Sequence, residues 1–160
     1  NAARRAKFVP LYNGADDPEE GARLAGEALA KAPWPLDVAV LGMGNDGHTA
    51  SLFPGLPNLA QLLDPASPAM LGAAIVPAPG ETRATLTMAE AMMNPHTGGN
   101  AGEIRLTLTL PRIASAQCLA LHIEGADKRA VLDRALGGAD LPIRRVLEAA
   151  ITPTQIYWAP

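Results

Sequence analysis

Residues 37–55 read Asp-Val-Ala-Val-Leu-Gly-Met-Gly-Asn-Asp-Gly-His-Thr-Ala-Ser-Leu-Phe-Pro-Gly, a short apolar run that breaks into a glycine-dense loop. Asp37-Val38-Ala39-Val40-Leu41 is rich in Val and uninterrupted after its Asp, which predicts a strand buried on both faces, as in a parallel sheet. Gly42, Gly44 and Gly47 then let backbone N–H groups come close to an anion or a sugar. Gly42-Met43-Gly44-Asn45-Asp46-Gly47 formally matches G-x-G-x-x-G. A dinucleotide site, however, requires that turn to open a long helix, and Pro54-Gly55 interrupts first. Asp64 does not supply the ribose contact either, because Gln61-Leu62-Leu63-Asp64-Pro65 does not read as a strand end. No nicotinamide or other cofactor is expected.

Upstream, residues 7–11 (KFVPL) predict a short strand, followed by a turn at Asn13-Gly14. Asp17-Pro18-Glu19-Glu20 announces a helix: a capping carboxylate, a proline suited to the first turn and two acids facing the positive end of the dipole. That helix is expected to reach Lys31, before Pro33-Trp34-Pro35. Downstream, residues 72–79 predict a strand. Residues 104–110 alternate, with Ile104, Leu106, Leu108 and Leu110 on the face expected to be buried and Arg105, Thr107 and Thr109 on the other. Residues 118–124 predict a strand, 128–136 an amphipathic helix closed by Gly137-Gly138, 142–149 a short helix and 155–159 a last strand. Strands alternating with helices predict one α/β domain over residues 1–160, a mostly parallel, Rossmann-like open sheet flanked by helices. Ligands bind such sheets at the carboxyl ends of the strands. Residues 83–88 echo residues 105–110, as two similar strands or a chance match, with residues 94–102 between them as a loop.

The composition narrows the function. One Cys among 160 residues rules out a disulfide framework and a multi-Cys zinc site. A net charge of −3 argues against nucleic acid or an anionic membrane as the main partner. No apolar run approaches the length of a bilayer span, and the opening Asn1-Ala2-Ala3-Arg4-Arg5 does not begin a signal peptide, so a cytoplasmic setting is expected. An initial Asn in place of Met points to a processed or partial chain.

The chemistry concentrates in Asp46 and His48. An imidazole at a strand end is a candidate general base near neutral pH, and Asp46 could orient it or bind a sugar hydroxyl. The spacing serves equally a second arrangement, in which Asp46 caps a following short helix and His48 only packs. A metal reading of Asp-x-His is poorer, since no second ligand cluster accompanies it; His96 falls in a loop and His122 in an expected core strand. Cys118 reads as inert core, Ser51 as a helix cap, and Trp34 and Trp158 as packing anchors.

Residues 41–55 resemble the signature of 6-phosphogluconolactonases, whose superfamily includes glucosamine-6-phosphate deaminase with the same Gly-x-Asp-Gly-His core. Arg105-Leu106-Thr107-Leu108-Thr109-Leu110-Pro111, Gly125-Ala126-Asp127-Lys128 and Ile156-Tyr157-Trp158-Ala159-Pro160 are also similar to that family. The resemblance implies a sugar-phosphate lactone as substrate, His48 as the base with Asp46 beside it, and Gly42, Gly44, Asn45, Gly47 and Thr49 lining the substrate. It implies Arg105 as the cation for the phosphate; Arg83 is its rival because residues 83–88 echo residues 105–110, and the plain alternative for either is a solvated strand-end arginine. The implied assembly is a monomer or homodimer. Deaminases carry an acid five positions after the His, where this chain has Phe53, which favours the lactonase over a deaminase; a non-catalytic sugar-phosphate sensor is a further alternative. The family's Gly-Gly-x-Thr-Pro loop and Asp-Glu-Arg segment are not found, so the chain is expected to be the C-terminal two-thirds of the enzyme. Residues 83–102 read as an insertion relative to the family's spacing.

Overall fold

Three strands run parallel in one sheet: β1 (Val38–Leu41), β4 (Cys118–Glu124) and β5 (Gln155–Ala159), in the order β1-β4-β5. The computed structural model describes residues 2–75 and 104–160. A second, antiparallel pair joins β2 (Leu71–Ile75) to β3 (Ile104–Leu108), with Leu71 opposite Leu108. Among the described residues, the α-helices are α1 (Pro18–Leu29), α2 (Leu59–Leu62), α3 (Leu110–Ala114), α4 (Ala126–Leu136) and α5 (Pro142–Ala149). The fold is therefore α/β, with a parallel sheet flanked by helices. Parallel neighbours need a long crossover, and α4 and α5 supply it between β4 and β5.

Local chemistry accounts for the helix ends. The Asp17 carboxylate accepts the N–H groups of Glu19 and Glu20 at 3.4 and 3.2 Å, and Pro18 occupies the first turn. On the exposed side of α1, the Arg23 guanidinium pairs with Glu20 and Glu27 and holds the Glu20 carboxyl below the usual carboxylate range. The helix stops at Leu29, short of the expected Lys31. Its Leu29 carbonyl accepts the Ala32 N–H at 2.9 Å and the Trp34 indole N–H at 2.8 Å, which diverts the chain from further helical bonds. At α5, the first residue is again a proline, and the carbonyl of Gly47 accepts the Ile143 N–H at 3.0 Å, one of the helix's otherwise unpaired donors.

Register sorts the parallel sheet into two faces. Val38 pairs with Cys118, Ala39 with Leu119 and Leu41 with Leu121, while Leu121 pairs with Ile156 on the other side. Leu119, Leu121 and Ile123 are almost wholly buried under α3, α4 and α5, against Ile113, Leu132, Ile143 and Val146. The opposite face is open among the described residues: Val38 is 56% exposed, Val40 70% and Tyr157 53%. The expectation that β1 is buried on both faces is thus corrected, because no described layer covers the Val38–Val40 side. His122 likewise lies on the open face, beside Glu124 at 3.8 Å, and not in the core. Trp158 is 42% exposed, with its indole N–H on the Gly125 carbonyl at 3.1 Å and Arg129 over its ring. Residues 7–11 form no strand; Phe8 is 89% exposed, Pro10 lacks an N–H, and no described strand lies alongside.

The alternation at residues 104–110 is present, but its burial runs against expectation. Thr107 and Thr109 are buried, at 2% and 1% exposure, while Leu106 and Leu108 are only half-buried and Leu110 alone of the expected leucine face is buried. Both threonine hydroxyls are bonded: Thr109 Oγ1 donates to the Ala69 carbonyl at 2.7 Å, and Thr107 Oγ1 accepts the Ser51 N–H at 3.2 Å. Hydrogen bonding removes the penalty that would otherwise drive these hydroxyls to the surface. Leu110 leaves the strand and starts α3. The expected strand over residues 72–79 is β2 as far as Ile75; its remainder, residues 83–88, Arg83 and His96 lie outside the described residues. The one-sided cover of the sheet among the described residues has a direct consequence. Leu121→Ala should lower the unfolding free energy by roughly 2–5 kcal/mol, whereas Val40→Ala should change it by less than about 0.5 kcal/mol, as read from urea titrations of both variants.

Candidate functional site

The loop leaving the carboxyl end of β1 folds back on itself. Gly44 N–H donates to the His48 carbonyl at 2.9 Å, and Gly47 N–H donates to the Gly44 carbonyl at 3.0 Å. Asp46 Oδ1 lies 2.6 Å from His48 Nδ1 and also accepts the His48 backbone N–H at 3.1 Å. An ionised carboxylate only accepts, so His48 Nδ1 carries the proton in this pair and Nε2 is left as the basic nitrogen. The pair needs Gly44: a Cβ built there would lie 2.2 Å from the His48 ring and 2.7 Å from Asp46 Oδ1. The His48 side chain is 27% exposed, neither sealed in the core nor free in solvent. Asp46 therefore binds within its own loop and does not cap a following helix.

Three ties hold this loop to the frame. Thr49 is fully buried and its hydroxyl donates to the Gly42 carbonyl at 2.8 Å. Gly47, at φ +82°, sits against Leu141 and gives its carbonyl to α5. Ser51 N–H reaches Thr107 on β3, so Ser51 links two segments and caps no helix. Between the Thr49 and Ser51 anchors, Ala50 is forced to φ +51°, a left-handed conformation that costs a non-glycine residue roughly 1–2 kcal/mol. Met43 turns inward beside Leu121 and Ile143, while Gly42 and Asn45 stay at the surface.

Phe53 completes the group. Its ring centroid lies 4.1 Å from that of His48, and the Arg105 guanidinium carbon lies over the same phenyl ring at 5.3 Å. Asp46, His48 and Arg105 thus come together, although β3 is far from the loop in sequence. Arg83 lies outside the described residues. The face of β3 that carries Arg105 and Thr107 is the one turned to the loop, not a solvent face. Sequence reasoning missed the structural parts played by Phe53 and Thr107. The Arg-x-Thr-x-Thr alternation was the available signal, since a polar face beside an anchored loop can be buried through hydrogen bonds. A groove of about 380 Å³ runs along β1, lined by Val40, Leu41, Ala50, Ser51, Leu106 and Thr107 among others. Its lining includes neither His48 nor Asp46. Among the described residues, no three His, Cys, Asp or Glu side chains gather as a metal site, and no helix is long and apolar enough to cross a membrane.

Comparison with known proteins matches the chain to a family. The 6-phosphogluconolactonase of Mesorhizobium japonicum is 48% identical over 161 residues, which take in 100% of this chain and 58% of that protein. The 6-phosphogluconolactonase of Rhizobium meliloti is 42% identical, over 100% of this chain and 61% of its own length. A solved 6-phosphogluconolactonase from Shewanella baltica superposes with a TM-score of 0.77 at 35% identity, covering 100% of this chain and 60% of that one. The chain spans about three fifths of the length of these relatives. The profile described as glucosamine-6-phosphate isomerases/6-phosphogluconolactonase matches residues 1–96 and 89–158. The chain belongs to the glucosamine-6-phosphate isomerase/6-phosphogluconolactonase family.

Proposed function

We propose that this protein hydrolyses 6-phospho-D-glucono-1,5-lactone to 6-phospho-D-gluconate, with His48 as general base. The observation that carries the reading is the 2.6 Å contact between Asp46 and His48 Nδ1 at the carboxyl end of β1, which leaves Nε2 to receive a proton. Phe53 beside that ring, in place of an acid, favours ester hydrolysis over the deaminase chemistry of the same family. The named relatives are 6-phosphogluconolactonases, which supports the same choice.

In this reading, Nε2 takes a proton from a water that attacks the lactone carbonyl carbon. The imidazolium then returns the proton to the ring oxygen as the C–O bond breaks. Asp46 holds the ring and stabilises its charged form. The carbonyl oxygen gains negative charge on the way and needs donors. The loop's own bonds occupy the N–H groups of Gly44, Gly47 and His48, so the remaining N–H groups of the loop, those of Asn45 and Asp46 among them, are the donors for this role. Gly42 and Thr49 shape the loop through their mutual bond. Arg105, set against the same phenyl ring as His48, holds the phosphate. We assign the reaction to a single α/β domain, working in the cytoplasm as a monomer or homodimer, with no cofactor or metal.

The deciding experiment offers both substrates. Lactone hydrolysis above the uncatalysed background, with no ammonia released from glucosamine 6-phosphate, is the expected result; the reverse pattern would overturn the reading. His48→Ala should cut kcat by roughly 10²–10⁴-fold with little change in KM. Arg105→Ala should instead raise KM by about 10–100-fold, the loss of a charged hydrogen bond. Gly44→Ala should depress kcat as His48→Ala does, while circular dichroism shows a folded chain, because its methyl group displaces the imidazole.

A further inference from the structure

His48 and Arg105 come from distant segments, yet both rest on one phenyl ring. We propose that Phe53 is a positioning residue that fixes the spacing and orientation of the His48 imidazole and the Arg105 guanidinium, a role that rests on reading them as base and phosphate cation. Asp46 sets the Nδ1 edge of the imidazole, but it belongs to the same loop and its side chain is 50% exposed, so it is no outside reference. Phe53 is one. It is 5% exposed and packs in the core with Leu52, Leu56 and Leu62. Its ring meets the imidazole at an interplanar angle of 32°, which limits rotation of His48 about its own side chain. The ring also draws the guanidinium by the attraction between a cation and an aromatic face, which orders a long, flexible side chain before substrate arrives. An aliphatic residue would fill the same volume but offer no such face, and a carboxylate would pair with Arg105 instead.

The test separates positioning from simple core filling. In the wild-type chain, ¹³C relaxation at His48 Cε1 and ¹⁵N relaxation at Arg105 Nε should give order parameters near the rigid limit of about 0.85. In Phe53→Leu both should fall below about 0.6, and kcat/KM should drop roughly 10–100-fold through kcat and KM together. Phe53→Tyr, which keeps the ring, should restore both order and activity. If Phe53→Leu unfolds, Phe53→Met is read in the same way, since it keeps the volume without the ring. Wild-type order at either side chain in a folded, ringless variant would overturn the proposal. A wild-type chain that fails to hydrolyse the lactone would remove the reading of function, and the relaxation data would still decide whether Phe53 positions the two groups.

Discussion

The missing side chain of Gly44 is the constraint on which the site depends. The His48 ring and the Asp46 carboxylate occupy the volume where any other residue would place its Cβ. With that space free, the loop can close by the Gly44–His48 and Gly47–Gly44 backbone bonds and still seat the acid–imidazole contact at 2.6 Å. The backbone bonds set the loop's shape, and the carboxylate sets the imidazole's tautomer. Neither would suffice alone, because an imidazole at a flexible strand end samples several rotamers.

The rest of the fold supplies fixed points for that loop. Buried Leu119, Leu121 and Ile123 lock β4 under the helices, and β1 is held to β4 by parallel pairing. Ile143 on α5 takes the Gly47 carbonyl, and Thr107 on β3 takes the Ser51 N–H. The loop is therefore clamped from β1, from a helix and from the antiparallel pair. Strain at Ala50 is tolerated because buried Thr49 and bonded Ser51 bracket it. Parallel strands put all their carboxyl ends at one edge, so that edge is where the chain can gather polar groups without breaking the core.

Much of this was legible in the residues. Residues 142–149 and 155–159 form a helix and a strand with the predicted bounds, because Pro142 marks a helix start and the Gln-Ile-Tyr-Trp-Ala run favours a strand. Asp17 caps α1 as its position implied. Burial was the weaker inference. A Val-rich run shows that β1 suits a covered sheet, but not which face is covered, and Val40 is open. At residues 104–110 the alternation was visible while its polarity misled, since Thr107 and Thr109 go inward once their hydroxyls find carbonyl and amide partners. The meeting of His48, Phe53 and Arg105 depends on how β3 lies against the loop, a contact that no local pattern encodes. Residues 7–11 have strand-like composition and no described neighbour to pair with, so composition alone did not make a strand.

The central claim is that Asp46 leaves His48 Nε2 as the basic nitrogen. Long-range ¹H–¹⁵N correlation spectra of the imidazole, recorded above its titration, test it directly. A protonated Nδ1 and an unprotonated Nε2 are expected, with that preference lost in Asp46→Ala. A neutral ring carrying its proton on Nε2 would contradict it, because the nitrogen proposed to accept a proton from water would already hold one.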